Sequence, residues 1–329
     1  MLLIITNEAD IHPNPVIDIL NKQRLPFFRL NTDKILTDYD ILYRITNEET
    51  YFEIKYKQYD KSITSKQISC VWERRPMEPL ATFDHYDDEK IKMVILEEAD
   101  GFVKFFRYSL SNVFWLGHPI IERQAGSKIL QKIVAKDIGF RIPDTVFSNI
   151  FSSTNIYKNK DVAIKPISAF DIETNGGSIV FYTRKKSYNE LVNIGESSFR
   201  NNINFLEEYI EKDYELRITV VKDTCFSAKI DSQRLKKEEG AIDWRQGYDY
   251  GITFRKTEVS RKIEKQCLSF LKYFGLNFGS FDFIVDKEGN YIFLECNTNG
   301  QWMWLEEEAK LPISKKIAEV FANEIKAKR

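Results

Sequence analysis

Asp282, Glu295 and Asn297 are the residues whose types and spacing point most directly to chemistry. They sit in two apolar, aromatic-rich runs between Phe278 and Trp302, on either side of Glu288 and Gly289. That pattern predicts a β-hairpin closed by a short glycine-bearing turn. With the turn centred between Glu288 and Gly289, Asp282 and Glu295 lie equally far from the centre and face each other. Two like charges opposed across a ladder repel unless a cation lies between them. Side chains alternate with a period of two, so Asn297 joins the same face and Cys296 points away. Such an oxygen-rich set suits a hard ion such as Mg2+, which keeps some waters and takes its remaining ligands from phosphates. The alternative is an ordinary hairpin whose polar residues face water. The apolar surroundings favour the first reading, because unpaired carboxylates are costly to bury.

The elements that position these residues are legible along the chain. Residues 1 to about 118 read as a mixed α/β unit. A strand at 2–6, a helix over 13–23 and a strand at 27–31 open a βαβ unit. Strand-like runs follow at 41–45, 51–56 and 69–74, then a helix over 88–107 with Ile91, Val94, Ile95, Phe102, Val103 and Phe106 along one side. Gly117, His118 and Pro119 mark a boundary. Beyond it a helix beginning near Lys128 ends at Gly139, with Pro143 soon after as a stop signal. Residues 162–166 form an apolar strand interrupted by Lys165, which must snorkel or meet an anion. Residues 214–221 alternate as a half-buried strand with Glu215 and Arg217 on one face, and pair as a hairpin with 225–231. Helices over 259–274 and 313–326 carry apolar stripes expected to cover one face of the C-terminal sheet.

Composition narrows the class. A chain of 329 residues with 43% hydrophobic and 29% charged residues is globular, with room for two or three domains. The formal net charge of −1 gives no field to hold nucleic acid, and clusters such as Arg184 to Lys186 and Lys236-Lys237 read as solvated faces. Cys70, Cys225, Cys267 and Cys296 are widely spaced, without zinc or disulfide spacing, which points to a reducing compartment. No apolar run approaches the ~20 residues of a membrane helix, so a cytoplasmic protein with no membrane partner is expected.

From Asp282 to Trp302 the sequence reads D-F-x-x-D-x-x-x-x-Y-x-F-L-E-x-N-x-x-G-Q-W. This resembles the C-terminal metal-binding hairpin of ATP-grasp carboxylate ligases. It is most similar to the ATP-grasp maturases of ribosomally made peptides, the graspetide or microviridin-type ligases and their grasp-with-spasm relatives. Residues 28–31 and 72–76 resemble segments of the N-terminal region of those maturases, and Asp243-Trp244-Arg245 resembles a recurrent signature of theirs.

The resemblance implies a three-domain α/β (α+β) ATP-grasp fold. An N-terminal pre-ATP-grasp α/β domain would span 1–118, a central subdomain 119–206 and a C-terminal subdomain with the metal-binding hairpin 207–329, with ATP and Mg2+ between the last two. Lys128 and Lys165 would meet phosphates, and the 168–177 stretch would stand where a glycine-rich phosphate loop belongs. That stretch departs from the simplest pattern, with glycine only at 176 and 177 and with Asp171 and Glu173 adding negative charge. The hinge segment Glu208, Tyr209 and Ile210 would read adenine through its backbone, the Glu208-Tyr209 peptide above all. Glu215 would accept the ribose hydroxyls, Arg217 would bind phosphate, Arg245 would stabilise an acyl phosphate, and Asp282, Glu295 and Asn297 would ligate metal.

Plainer readings stand beside these. Lys128 could be an exposed helical lysine, and Glu215 with Arg217 an ion pair worth less than about 1 kcal/mol if exposed. Arg245 could be a two-pronged clamp on Asp243. The implied reaction is phosphorylation of a carboxylate by ATP, giving ADP and an acyl phosphate that a hydroxyl or amine then displaces. In the maturases the substrate is a ribosomal precursor peptide whose Asp or Glu side chains join Thr, Ser or Lys, and a homodimer is expected. The competing functions are a ligase that adds a free amino acid to a peptide or small molecule, and a non-catalytic ATP-binding regulatory module.

Overall fold

A computed structural model describes residues 1–80, 88–168, 171–174, 177–235 and 238–328. The N-terminal part opens with β1 (Leu2–Thr6), α1 (Pro13–Lys22) and β2 (Phe27–Asn31), β1 and β2 running parallel. After α2 (Ile35–Asp38), β3 (Tyr39–Ile45), β4 (Thr50–Tyr56) and β5 (Lys61–Thr64) make an antiparallel sheet of their own. Next, β6 (Cys70–Glu73) returns to the free side of β1. After α3 (Glu89–Tyr108), β7 (Phe114–Trp115) completes a parallel sheet of order β2-β1-β6-β7. The apolar stripe of α3 is buried only in its second half. Val103 and Phe106 are in the core, whereas Ile91 and Val94 are 44% and 60% exposed, so the first turns do not pack as the periodicity suggested.

A connection through α4 (Pro119–Ala125) leads to α5 (Lys128–Ile138). The Ser127 hydroxyl accepts the Leu130 N–H as an N-cap, and Gly139 at φ 90° ends the helix in the left-handed conformation glycine adopts readily. The central strands are β8 (Thr145–Ser148), β9 (Asp161–Lys165), β10 (Asp171–Thr174), β11 (Gly177–Val180) and β12 (Arg184–Ser187), followed by α6 (Tyr188–Asn193), α7 (Glu196–Arg200) and β13 (Asn204–Glu208). Their antiparallel sheet has the order β12-β9-β13-β8 and its own small core of Tyr157, Val162, Leu191, Phe199 and Leu206. The stretch expected as an open phosphate loop is in part a two-stranded hairpin of β10 and β11. Residues 169, 170, 175 and 176 of it, like 236 and 237, lie outside the described residues.

The last part contains β14 (Lys212–Val221), β15 (Thr224–Ile230), α8 (Glu238–Ile242), β16 (Phe254–Lys256), α9 (Arg261–Phe274), β17 (Phe278–Asp286), β18 (Tyr291–Asn297), α10 (Met303–Ala309) and α11 (Ile313–Ala327). Its antiparallel sheet has the order β16-β15-β14-β17-β18. Alternation along β14 sends Leu216, Ile218 and Val220 to one core, where they meet Cys267, Phe270 and Leu271 of α9. The two helices expected to cover one face of this sheet join different cores, α9 this one and α11 another. Ile313, Ile317 and Phe321 of α11 pack instead with Leu2, Ile4, Val16, Trp72, Val221, Phe278 and Trp302. Faces of α1, β1 and β6 claim the α11 stripe, so the N-terminal and C-terminal parts have one core in common.

Candidate active site

Asp282 does stand opposite Glu295, and Ser280 opposite Asn297, but the turn is not centred where the sequence placed it. Val285 pairs with Tyr291 and Ile284 with Ile292, which centres the turn on Glu288 and puts Gly289 at φ 81°. A bulge then leaves Leu294 as an extra residue on β18, and this restores the opposition of the two carboxylates. Its effect is on facing. Phe293 and Cys296, three residues apart, both enter the core with Phe281 and Phe283, whereas unbroken alternation would put Phe293 and Glu295 on one side. The bulge turns Glu295 away from the core.

On that face the Asn297 amide donates to Asp282 Oδ2 at 2.9 Å and to Glu295 Oε1 at 3.2 Å. Each carboxylate also has a cation. Arg217, directly across from Asp282 on β14, donates Nη1 to both its oxygens at 2.7 and 2.6 Å. Lys128, the first residue of α5, brings its ammonium against Glu295. Burial and the nearby Lys165 pull the Lys128 ammonium down to about 8, against the opposing charges of Asp282 and Glu207. The turn after β18 backs the site closely. A Cβ on Gly300 would lie 2.8 Å from Arg217 Nη2 and 2.7 Å from Ser280 Cβ, so only glycine fits there.

Among the described residues no group of three His, Cys, Asp or Glu side chains gathers. An all-protein metal cage is therefore not offered. Two carboxylates and an amide, whose oxygen a flip would present, do fit a Mg2+ ion that draws its other ligands from phosphate and water.

A second charge group was not visible in the sequence. Glu207 on β13 is only 1% exposed and holds two lysines, Lys165 of β9 and Lys132 of α5, the latter at 2.5 Å. Burial works to raise its carboxyl, but the two ammonium groups outweigh burial and hold it well below the usual range. Lys165 thus meets an anion of the protein itself, and Lys132 looks in the sequence like an ordinary polar helix position.

The hinge segment departs from the expected contact. The Glu208 N–H donates to Asp144 O and the Tyr209 N–H to Asp161 O, both at 2.9 Å, so the Glu208-Tyr209 peptide has no free donor. Among the described residues the Ile210 N–H has no backbone partner. Lys185 lies over the Tyr209 ring at 4.3 Å and pairs with Asp161 and Glu211, which fixes this corner.

Glu215 is buried on β14, where burial pushes its carboxyl up while Lys212 at 2.7 Å and Ser232 at 2.9 Å hydrogen-bond to it. Of the two readings of Arg245, the fork on Asp243 is present, with bonds of 2.8 and 2.5 Å. Its Nη1 donates to nothing among the described residues, and the charge of Asp282 is close enough to act on it. The outer edge of β18 is closed by Gln131 of α5. Its amide accepts the Cys296 N–H and donates to the Cys296 carbonyl, each at 2.8 Å, while the Phe293 N–H reaches Arg141 O.

Comparison with known proteins places this geometry. Residues 1–123 match the family model of the MvdD pre-ATP grasp domain, and residues 141–321 that of the RimK-like ATP-grasp domain. A Chryseobacterium gregarium RiPP-associated ATP-grasp ligase, solved with ADP and a leader and core peptide, superposes with a TM-score of 0.87. It is 27% identical, over 98% of this chain and 96% of that one. The macrocyclase MdnC of Microcystis aeruginosa MRC, bound with precursor peptide MdnA, gives 0.82 at 31% identity over 98% and 99%. A tetrahydromethanopterin:alpha-L-glutamate ligase of Methanocaldococcus jannaschii is 22% identical over 242 residues, 69% of this chain and 78% of that protein.

Proposed function

Since the chain belongs to the RimK-like ATP-grasp ligases, in the group that acts on ribosomally made peptides, we propose that it closes rings in a precursor peptide. It would do so by phosphorylating Asp or Glu side chains with ATP and joining them to Thr or Ser as esters or to Lys as amides. Members of this family are ATP-dependent, ADP-forming carboxylate ligases. The observation that carries the reading is the matched pair of carboxylates, Asp282 with Arg217 and Glu295 with Lys128, on one side of a hairpin. Each cation is released to meet phosphate when a divalent ion takes its carboxylate.

In this reading Asp282, Glu295 and Asn297 hold Mg2+, which when bound neutralises charge on the phosphates. Lys128 and Lys165 meet the phosphates of ATP, the Ile210 N–H and the Glu208 carbonyl meet adenine, and Glu215 accepts from the ribose. Arg217, and Arg245 through its open Nη1, stabilise the acyl phosphate and the tetrahedral species that follows it. A carboxylate oxygen is a poor leaving group; in the acyl phosphate, a mixed anhydride, it departs readily as part of phosphate, so the hydroxyl or amine needs no covalent enzyme intermediate. No helix among the described residues is long and apolar enough to cross a membrane; we propose a cytoplasmic setting.

The test is mass spectrometry of a Thr- and Asp- or Glu-rich precursor peptide incubated with the protein, Mg2+ and ATP. ATP-dependent loss of one water per link is expected, and mild alkaline hydrolysis separates ester from amide. The likeness to a glutamate ligase favours one second reading, addition of a free amino acid, for which the peptide would gain mass instead.

A further inference from the structure

Arg74 is fully buried yet carries a charge, an arrangement that costs free energy unless the guanidinium is put to use. It follows β6 in the N-terminal part, and its own N–H continues the sheet by donating to Ile5 O at 2.7 Å. Its side chain leaves that sheet for the turn after β18. Nη1 donates to Asn299 O at 3.0 Å, Asn299 Oδ1 at 2.7 Å and Gly300 O at 3.1 Å. The guanidinium lies over the Trp302 ring at 4.7 Å. Its nearest carboxylate, Asp10, is 3.5 Å away, and Nη2 has no partner among the described residues. Charge neutralisation is therefore secondary. What the side chain does best is hold two consecutive carbonyls and one side-chain oxygen of a single turn.

That turn has Asn297 at its start, with the Gly300 N–H donating to Asn297 O at 3.3 Å, and packs Gly300 against Arg217. Asn299 also reaches Glu122 of α4 at 3.4 Å, so three separate parts of the chain meet at one residue. We propose that Arg74 is a positioning residue for the metal site, fixing through Asn299 and Gly300 the turn that orients Asn297 and backs Arg217. The N-terminal part thereby sets the affinity of the site for metal. The inference rests on the metal assignment proposed above for Asp282, Glu295 and Asn297.

The test is calorimetric binding of ADP to the whole protein across a range of Mg2+ concentrations. Arg74→Met keeps the packing on Trp302 and removes the donors, and Asn299→Ala, at a partly exposed position, removes one acceptor and leaves Arg74 in place. Both are expected to raise the Mg2+ concentration needed for ADP binding, Arg74→Met by about tenfold or more, the scale seen when a residue supporting a metal ligand is lost. Affinity for ADP without Mg2+ should be unchanged in both, which a general loosening of the fold would not give. Glu295→Gln serves as the reference. If its Mg2+ dependence shifts while those of Arg74→Met and Asn299→Ala match the wild type, the positioning role is wrong and the metal site stands. If none of the three shifts, both are wrong.

Discussion

At Gly300 the approach of backbone to Arg217 leaves no room for even a methyl group. Gly300→Ala should therefore displace the guanidinium from Asp282 and lower ATP-dependent peptide modification about tenfold or more, at a stability cost of about 1–3 kcal/mol from overpacking. Unchanged turnover would remove that contact from the mechanism. Glu122 offers a test by pH. Burial and the neighbouring Glu73 push its carboxyl up to about 8, against the pull of Asn299, Arg74 and Arg107. A carboxyl whose pKa is raised on folding stabilises most below its unfolded value and loses that stability as pH rises towards the folded one. Glu122→Gln should thus flatten the fall in melting temperature between about pH 5 and 8, and a variant as pH-sensitive as the wild type would show that another group is responsible. The sequence made Asp282, Glu295 and Asn297 legible because carboxylates in an apolar, period-two run have few explanations. It hid Glu207 and Lys132, whose positions look ordinary in one dimension, and although it marked the 72–76 segment that holds Arg74, it could not show that residue's partners, which lie far along the chain.

Among the elements, the β17 and β18 hairpin shows how a correct register can follow from an incorrect turn. The half-residue displacement of the turn shifts the register by one residue, and the one-residue bulge at Leu294 cancels that shift beyond Phe283, which no count from a symmetric loop can reveal. The bulge alone decides that Glu295 leaves the core. Deleting Leu294 removes the extra residue together with the bulge and makes Phe293 and Glu295 neighbours in an unbroken ladder, so Glu295 should still face outward opposite Asp282 and Cys296 the core, and Mg2+-dependent ADP binding should survive. Gly289→Ala, strained at φ 81° but with open space around it, should cost only about 1 kcal/mol and keep binding. Calorimetry and denaturant unfolding of both variants check this, and loss of binding after the deletion would mean that the bulge shapes the site beyond the direction in which Glu295 faces. Apolar periodicity located α5, α9 and α11, but could not say which core each would join, because a stripe specifies burial and not its partner.

For the whole molecule, the N-terminal and C-terminal parts have one large core in common while the central sheet rests on a few residues of its own. Native-state hydrogen exchange should find β8, β9 and β13 opening at lower free energy than β1, β6, β14 and β17, with protection rising when ADP and Mg2+ bind. Equal protection throughout would make the protein a single cooperative unit. The side chain of Gln131 has a consequence at this scale. By occupying both the N–H and the carbonyl of Cys296, with Arg141 taking the Phe293 N–H, it leaves the β18 border without the open peptide groups that recruit a further strand. A peptide reaching the Asp282 and Glu295 face cannot add itself to the C-terminal sheet along that border. Recognition along it would rest on side-chain contacts in place of main-chain pairing.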